Sequence, residues 1–233
     1  MAPVQSTVLS FRDVSLSGSR AGGVTHAFDF DLGHGEVALV EYNDDGDAED
    51  FVDLCLGMVE PAGGEVHCLG RPWRGQGYHA MLAHRSRIGS LVGAQSWPGH
   101  VPVAEMVIAP RLYHTGETEE TVLAEATDWA RRFGLPGLPT GAHTTVRLPD
   151  LARAACVAAF IGTPELVVIR DRLLEGMAEL GTPMAQAIGG VQDRGGAVLW
   201  LLRSLAAPAA RSVAADHVLR LRDRSLAPMR RRL

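Results

Sequence analysis

Lysine is missing from this sequence: all 22 of its basic residues are arginine. The absence excludes Schiff-base chemistry, a lysine general base and a lysine anchor for phosphates. Richness in alanine, glycine and arginine points to GC-rich coding as the origin, but the chemical exclusions hold whatever the origin. Cysteine is scarce. Cys55, Cys68 and Cys156 form no Cys-x-x-Cys pair, so a disulfide scaffold is not expected and a reducing cytoplasm is. No apolar run approaches the ~20 residues that cross a bilayer. No basic stretch precedes an apolar one near Met1, so no secretory signal is expected. The net charge of −5 argues against general nucleic-acid binding.

The charges that are present are unevenly placed. Between Arg20 and Arg71 the only basic side chains are histidines, and the gap holds Glu41, Asp44, Asp45, Asp47, Glu49 and Asp50. At the other end, Arg220, Arg222 and Arg224 precede Arg230, Arg231 and Arg232. That tail reads as a solvated, frayed end, with an anionic membrane surface or an acidic partner as the functional alternative.

Hydrophobic periodicity predicts strands over residues 7–16 and 27–32, with a turn at 18–23 between them. Continuous apolar runs at 36–40, 166–169 and 197–202 are the mark of strands buried on both faces. Further strands are predicted at 65–69, 88–92 and 218–221. Helical spacing joins Phe51, Leu54, Cys55 and Met58, and Pro61-Ala62-Gly63-Gly64 breaks that helix. Residues 101–137 read as helical, with Val122, Ala126, Trp129 and Phe133 on one face; 151–161 and 177–193 follow as helices. Buried strands alternating with helices predict an α/β fold with a mainly parallel sheet and an antiparallel β piece at the start.

In this order the elements resemble the ATP-binding subunit of ABC transporters. The resemblance rests on Val8-Leu9-Ser10-Phe11-Arg12-Asp13-Val14-Ser15-Leu16, Gly35-Glu36-Val37-Ala38-Leu39-Val40, Leu56-Gly57-Met58-Val59-Glu60-Pro61 with Gly64-Glu65-Val66 and Gly70-Arg71, and Arg87-Ile88-Gly89. Val103-Ala104-Glu105-Met106-Val107, Arg153 with Pro164-Glu165-Leu166-Val167-Val168-Ile169, and Ala215-Asp216-His217-Val218 with Leu221 continue it in register. Ile108-Ala109-Pro110-Arg111-Leu112 and Leu135-Pro136-Gly137 look most like the lipid-trafficking (MCE-linked) branch. The resemblance implies a single P-loop NTPase fold of the ABC type over residues 1–233, with a helical subdomain at roughly 94–160.

At the positions that carry the family's chemistry, the residues have changed. A P-loop reads Gly-x-x-x-x-Gly-Lys-Ser/Thr, cradling phosphates with main-chain N–H groups, a lysine and a magnesium-binding hydroxyl. The matching stretch here is Glu41-Tyr42-Asn43-Asp44-Asp45-Gly46-Asp47-Ala48. Glu41 replaces the first glycine, Asp44 and Asp45 fall within the cradle, Asp47 stands for the lysine, and Ala48 lacks the hydroxyl. Only Asn43 and Gly46 survive. Unit charges ~4 Å apart interact by ~4 kcal/mol at an effective dielectric of ~20, and an aspartate for a lysine reverses that sign. No lysine is available to compensate, and arginines lie far off in sequence. The Walker B aspartate position reads Arg170, the catalytic glutamate Asp171, the Q-loop glutamine Gly93 (with Gln95 offset) and the switch histidine Arg203. The signature is reduced to Leu148-Pro149-Asp150-Leu151 and the D-loop to Glu175-Gly176-Met177.

The expectation is therefore loss of ATP and magnesium binding. The implied protein is a catalytically inactive ABC-type subunit, dimeric, serving a permease and possibly an active ATP-binding subunit, cytoplasmic and peripheral on the inner face of the membrane. Two alternatives stand beside it: a working ATP-binding subunit with unorthodox motifs, and an acidic-loop metal-binding or regulatory module. Glu41, Asn43, Asp45, Gly46 and Asp47 match calcium-loop positions one, three, five, six and seven, but the twelfth is Val52. The simpler expectation for the loop is a solvated acidic N-terminus to a helix. The histidines form no ligand set at known spacing, and Cys156 reads as a core residue.

Overall fold

The continuous apolar runs form the centre of the molecule in the computed structural model, which describes residues 7–16, 27–93, 97–170 and 172–229. In chain order the elements are β1 (Thr7–Ser15), β2 (Phe28–Gly33), β3 (Val37–Tyr42), α1 (Asp45–Cys55), β4 (Gly63–Cys68), β5 (Arg71–Pro72), α2 (Tyr78–Arg85), β6 (Ile88–Val92), α3 (Val103–His114), α4 (Glu119–Arg132), α5 (Leu148–Phe160), β7 (Leu166–Arg170), α6 (Arg172–Glu175), α7 (Gly181–Asp193), β8 (Ala197–Leu202), β9 (His217–Arg222) and β10 (Ser225–Pro228). The turn expected at 18–23, and Gln95, Asp171 and Arg230 to Arg232, lie outside the described residues.

Six strands form one sheet in the order β10-β9-β3-β8-β7-β6, parallel throughout except for the β9–β10 hairpin. Its central strands β3, β7 and β8 are apolar on both faces because both faces are covered. Ala38, Val40, Val168, Leu199 and Leu201 point into one core; Val37, Leu39, Ile169, Trp200 and Leu202 point into the other. The first core lies under the antiparallel sheet β2-β1-β4-β5 and is sealed by Phe11 stacked on Phe51 of α1 at 5.3 Å. In the second, Trp129, Phe133 and Phe160 meet with centroids 5.9 Å apart, joining α4 to α5.

Several boundaries differ from the periodicity. Helix α1 ends at Cys55, and Met58 is exposed instead of facing the core, because Gly57 turns the chain with φ of 64°. A Cβ on Gly57 would overlap the Trp73 ring, whose indole N–H donates to the Cys55 carbonyl at the end of α1. Gly63 and Gly64, read as a breaker, open β4; Gly64 has φ of 76° opposite the irregularity at Arg12 and Ser15 of β1. The stretch 101–137 holds two helices, separated where Thr118 caps α4. A short 3-10 turn at Ala178–Leu180 precedes α7, and the last strand is one arm of a hairpin.

Candidate functional site

Parallel strands deliver their carboxyl ends to one edge of the sheet, where α/β folds place ligands. At that edge β3 ends in Glu41 and Tyr42, β7 in Arg170, and β8 is followed by Arg203. Gly93 follows β6, whose Val92 lies opposite Arg170, so it belongs to the same edge. Thus the described positions matched to the P-loop, Q-loop, Walker B and switch stations share one end of the sheet.

The stretch from Glu41 to Ala48 is not an open loop. Glu41 and Tyr42 belong to β3, Asp45 to Ala48 belong to α1, and only Asn43 and Asp44 lie between. Asp44 is the N-cap of α1: its Oδ1 accepts the Asp47 N–H at 3.0 Å, and its carbonyl accepts the Ala48 N–H at 3.2 Å. N-terminal N–H groups of a helix attract anions, and here the chain's own carboxylate takes that role.

The expected solvated acidic loop is instead a network of ion pairs with arginines distant in sequence. Asp45 is approached by Arg203, which hydrogen-bonds it, by Arg172 Nη1 at 3.5 Å and by Arg170 Nη2 at 3.7 Å. Glu41 pairs with Arg220 at 2.7 Å. Asp47 Oδ2 accepts the main-chain N–H of Arg224 at 3.2 Å while its Oδ1 lies 3.5 Å from Arg224 Nε. Arg220 and Arg224 are therefore not part of a frayed tail. Their acidic partner is the chain's own Glu41 and Asp47.

A second layer fixes the arginines. Arg170 and Arg203 lie over the ring of the buried Tyr42, at 6.0 and 5.3 Å from its centroid. Burial pushes the Tyr42 hydroxyl pKa upward. The Arg203 main-chain N–H donates to Glu175 Oε2 at 3.0 Å, and Glu175, matched to the D-loop by sequence resemblance, is buried. Asp150, at the start of α5, pairs with Arg153 at 3.1 Å and Arg147 at 3.5 Å. Sequence reading put Arg220 and Arg224 in a basic C-terminal run, gave Tyr42 no role within the 41–48 stretch and missed Arg172; nothing local marks which acids these arginines meet.

The calcium-loop spacing does not survive folding. Asp45 to Val52 are helical and Val52 is buried, leaving no loop to wrap a cation. Among the described residues, no group of three or more His, Cys, Asp or Glu is arranged to hold a metal.

This architecture is the P-loop NTPase fold of the ABC transporter ATP-binding cassettes. MJ0796, a bacterial ABC transporter cassette solved as a dimer, matches with a TM-score of 0.81 at 12% identity, covering 95% of this chain and 99% of that one. An ATP-binding subunit of an ABC transporter matches at 0.74 and 16% identity, over 96% of this chain and 90% of that one. The protein cbiO1 from Clostridium perfringens, part of the ABC transporter complex cbiONQ, matches at 0.72 and 12% identity, over 95% and 87%. No protein-family model matches the sequence, and no curated protein matches it.

Proposed function

We propose that this chain is an ABC-type cassette subunit without ATP chemistry, acting as a structural or regulatory partner of a membrane permease. The observation that carries the reading is charge inversion at the sheet edge. Carboxylates stand on the strand–helix side where phosphates would need donors, and arginines stand where magnesium would need acidic ligands. A magnesium nucleotide does not fit these residues. Its phosphates would meet Asp44, already accepting the Asp47 N–H, and the carboxylates of Asp45 and Asp47. A magnesium ion at the Walker B position would face Arg170 in place of an aspartate. Asp45 and Asp47 are already paired with Arg170, Arg172, Arg203 and Arg224, so a phosphate would have to displace these internal carboxylates before it met any cation.

The proposed partners draw support from the similar structures and from the surface. MJ0796 forms a dimer and cbiO1 belongs to a larger transporter complex; a dimeric assembly on a permease, with or without an active ATP-binding subunit, is the corresponding role here. Met58 and Val59 are exposed beside a cavity of about 300 Å³ lined by Trp73, Met81 and Arg85. In this reading the partner covers these two side chains. No helix among the described residues is long and apolar enough to cross a membrane; the proposed place of the chain is on a permease, at the cytoplasmic face.

Titration of the purified chain with a fluorescent ATP analogue and magnesium tests the central point. No saturable binding below about 1 mM is expected. Micromolar affinity would instead identify a working ATP-binding subunit with unorthodox motifs.

A further inference from the structure

Among the described residues, three guanidinium groups converge on the carboxylate of Asp45, which offers a bidentate face to only one of them. Arg170 arrives at the end of β7, Arg172 at the start of α6 and Arg203 after β8. Without an anion among them, three cations at this spacing repel one another. Yet their placement does not depend on Asp45's carboxylate alone. Arg170 and Arg203 rest on Tyr42. Arg170 Nη2 donates to the Asp45 main-chain carbonyl at 3.2 Å, and Arg203 Nη1 to that of Asn43 at 3.4 Å. The Arg203 main-chain N–H is held by Glu175. Arg170 and Arg203 are thus held in place by groups that remain when the Asp45 carboxylate is taken away, while the exposed Arg172 reaches the same point from the start of α6.

We infer that Arg170, Arg172 and Arg203 form an oxyanion-binding site that the chain occupies with its own Asp45 carboxylate. Guanidinium forks match the planar and tetrahedral geometry of carboxylate and phosphate, so a small oxyanion of that kind is the ligand class. Asp45 is tethered at the site, and its effective concentration there is far above that of any free anion. The intact protein therefore excludes external phosphate, and the site becomes available only when Asp45 is withdrawn. The inference rests on the reading of this loop as one that holds no nucleotide, and it names what holds the vacated edge together.

The test is replacement of the internal ligand. Asp45→Ala in the full chain is expected to lower the midpoint of thermal unfolding by about 5 °C. Millimolar inorganic phosphate should recover most of that shift, while sodium chloride at equal ionic strength should not. Calorimetry should show phosphate binding to Asp45→Ala with a Kd of about 1 mM and at least tenfold weaker binding to the parent chain. Asp47→Ala, which leaves only Arg224 unpaired, should lose stability without phosphate-specific recovery. Arg172→Ala added to Asp45→Ala should weaken phosphate binding. If Asp45→Ala does not fold, Asp45→Asn keeps the shape and takes its place. Equal effects of phosphate and chloride on the folded variant, or failure of phosphate to restore either variant, would overturn the inference. Phosphate alone is used, so the two failures are distinguishable: micromolar ATP binding by the parent chain sinks the functional reading and this inference with it, whereas chloride matching phosphate in Asp45→Ala sinks this inference alone.

Discussion

Asp47, which the sequence resemblance sets against a phosphate-binding lysine, faces Arg224, the second residue of the β9–β10 turn. Asp223 and Arg224 both adopt left-handed backbone, with φ of 49° and 60°. Two-residue hairpin turns with this geometry favour asparagine and glycine, and a side-chain-bearing residue there costs about 1–2 kcal/mol. Asp47 offsets that cost by accepting the Arg224 N–H and pairing with its guanidinium, both side chains being mostly buried. Asp47→Lys would therefore not recreate a nucleotide site. It would set two cations against each other and release the strained turn. The expected loss is about 2–4 kcal/mol, seen as an urea midpoint shifted down with unchanged slope, and no gain of ATP binding. The acid at position 47 was visible in the sequence; its partner, 177 residues away, carried no local signal.

Among the elements, β3, β7 and β8 were legible because burial on two faces writes an uninterrupted apolar run. Helix α2 was not, because His84 is its only buried residue and it has no apolar stripe. Strand β10 was missed for similar reasons: it spans Ser225–Pro228 and buries Leu226 alone. The starts of β6 and β7 show how side chains fix adjacent parallel strands. Arg87 and Glu165 form a two-pronged pair at 2.6 Å, and the Glu165 N–H donates to the Arg87 carbonyl at 2.9 Å. The hydrogen bond from Arg87 holds the Glu165 carboxyl below its ordinary value of 4.5. A lowered folded-state pKa contributes stability above the unfolded value and loses it as pH falls through the folded one. Glu165→Gln should therefore be less stable than the parent near neutral pH, by no more than about 1 kcal/mol because both side chains are partly exposed. The two stability curves should converge below pH 4.5, as thermal unfolding across pH will show.

At the scale of the whole molecule, the fold was readable through the order and spacing of weak matches, although identity to the matched structures is only 12% to 16%. Packing preserves the apolar pattern, while the chemistry at the sheet edge is free to change without unfolding the protein. The arginine partners of that edge were not readable, because charge pairing across a fold leaves no periodicity in the sequence. The exposed pair Met58 and Val59 belongs to this scale too. Met58→Asp with Val59→Asp should leave the thermal midpoint within about 2 °C, since both are surface residues, and should abolish co-purification with a membrane partner. Retained co-purification would move the docking surface elsewhere.

The same long-range pairs set an order on folding. Glu41 waits for Arg220 and Asp47 for Arg224, across 179 and 177 residues, and the arginines that surround Asp45 also come from the later part of the chain. During synthesis the acidic start of α1 therefore emerges uncompensated; Asp45 gains its partners once β7 and β8 are made, and Glu41 and Asp47 gain theirs only with the last hairpin. Closing contacts of such separation is slow. The nascent chain thus carries a concentrated negative charge through most of its assembly, and the final strands discharge it.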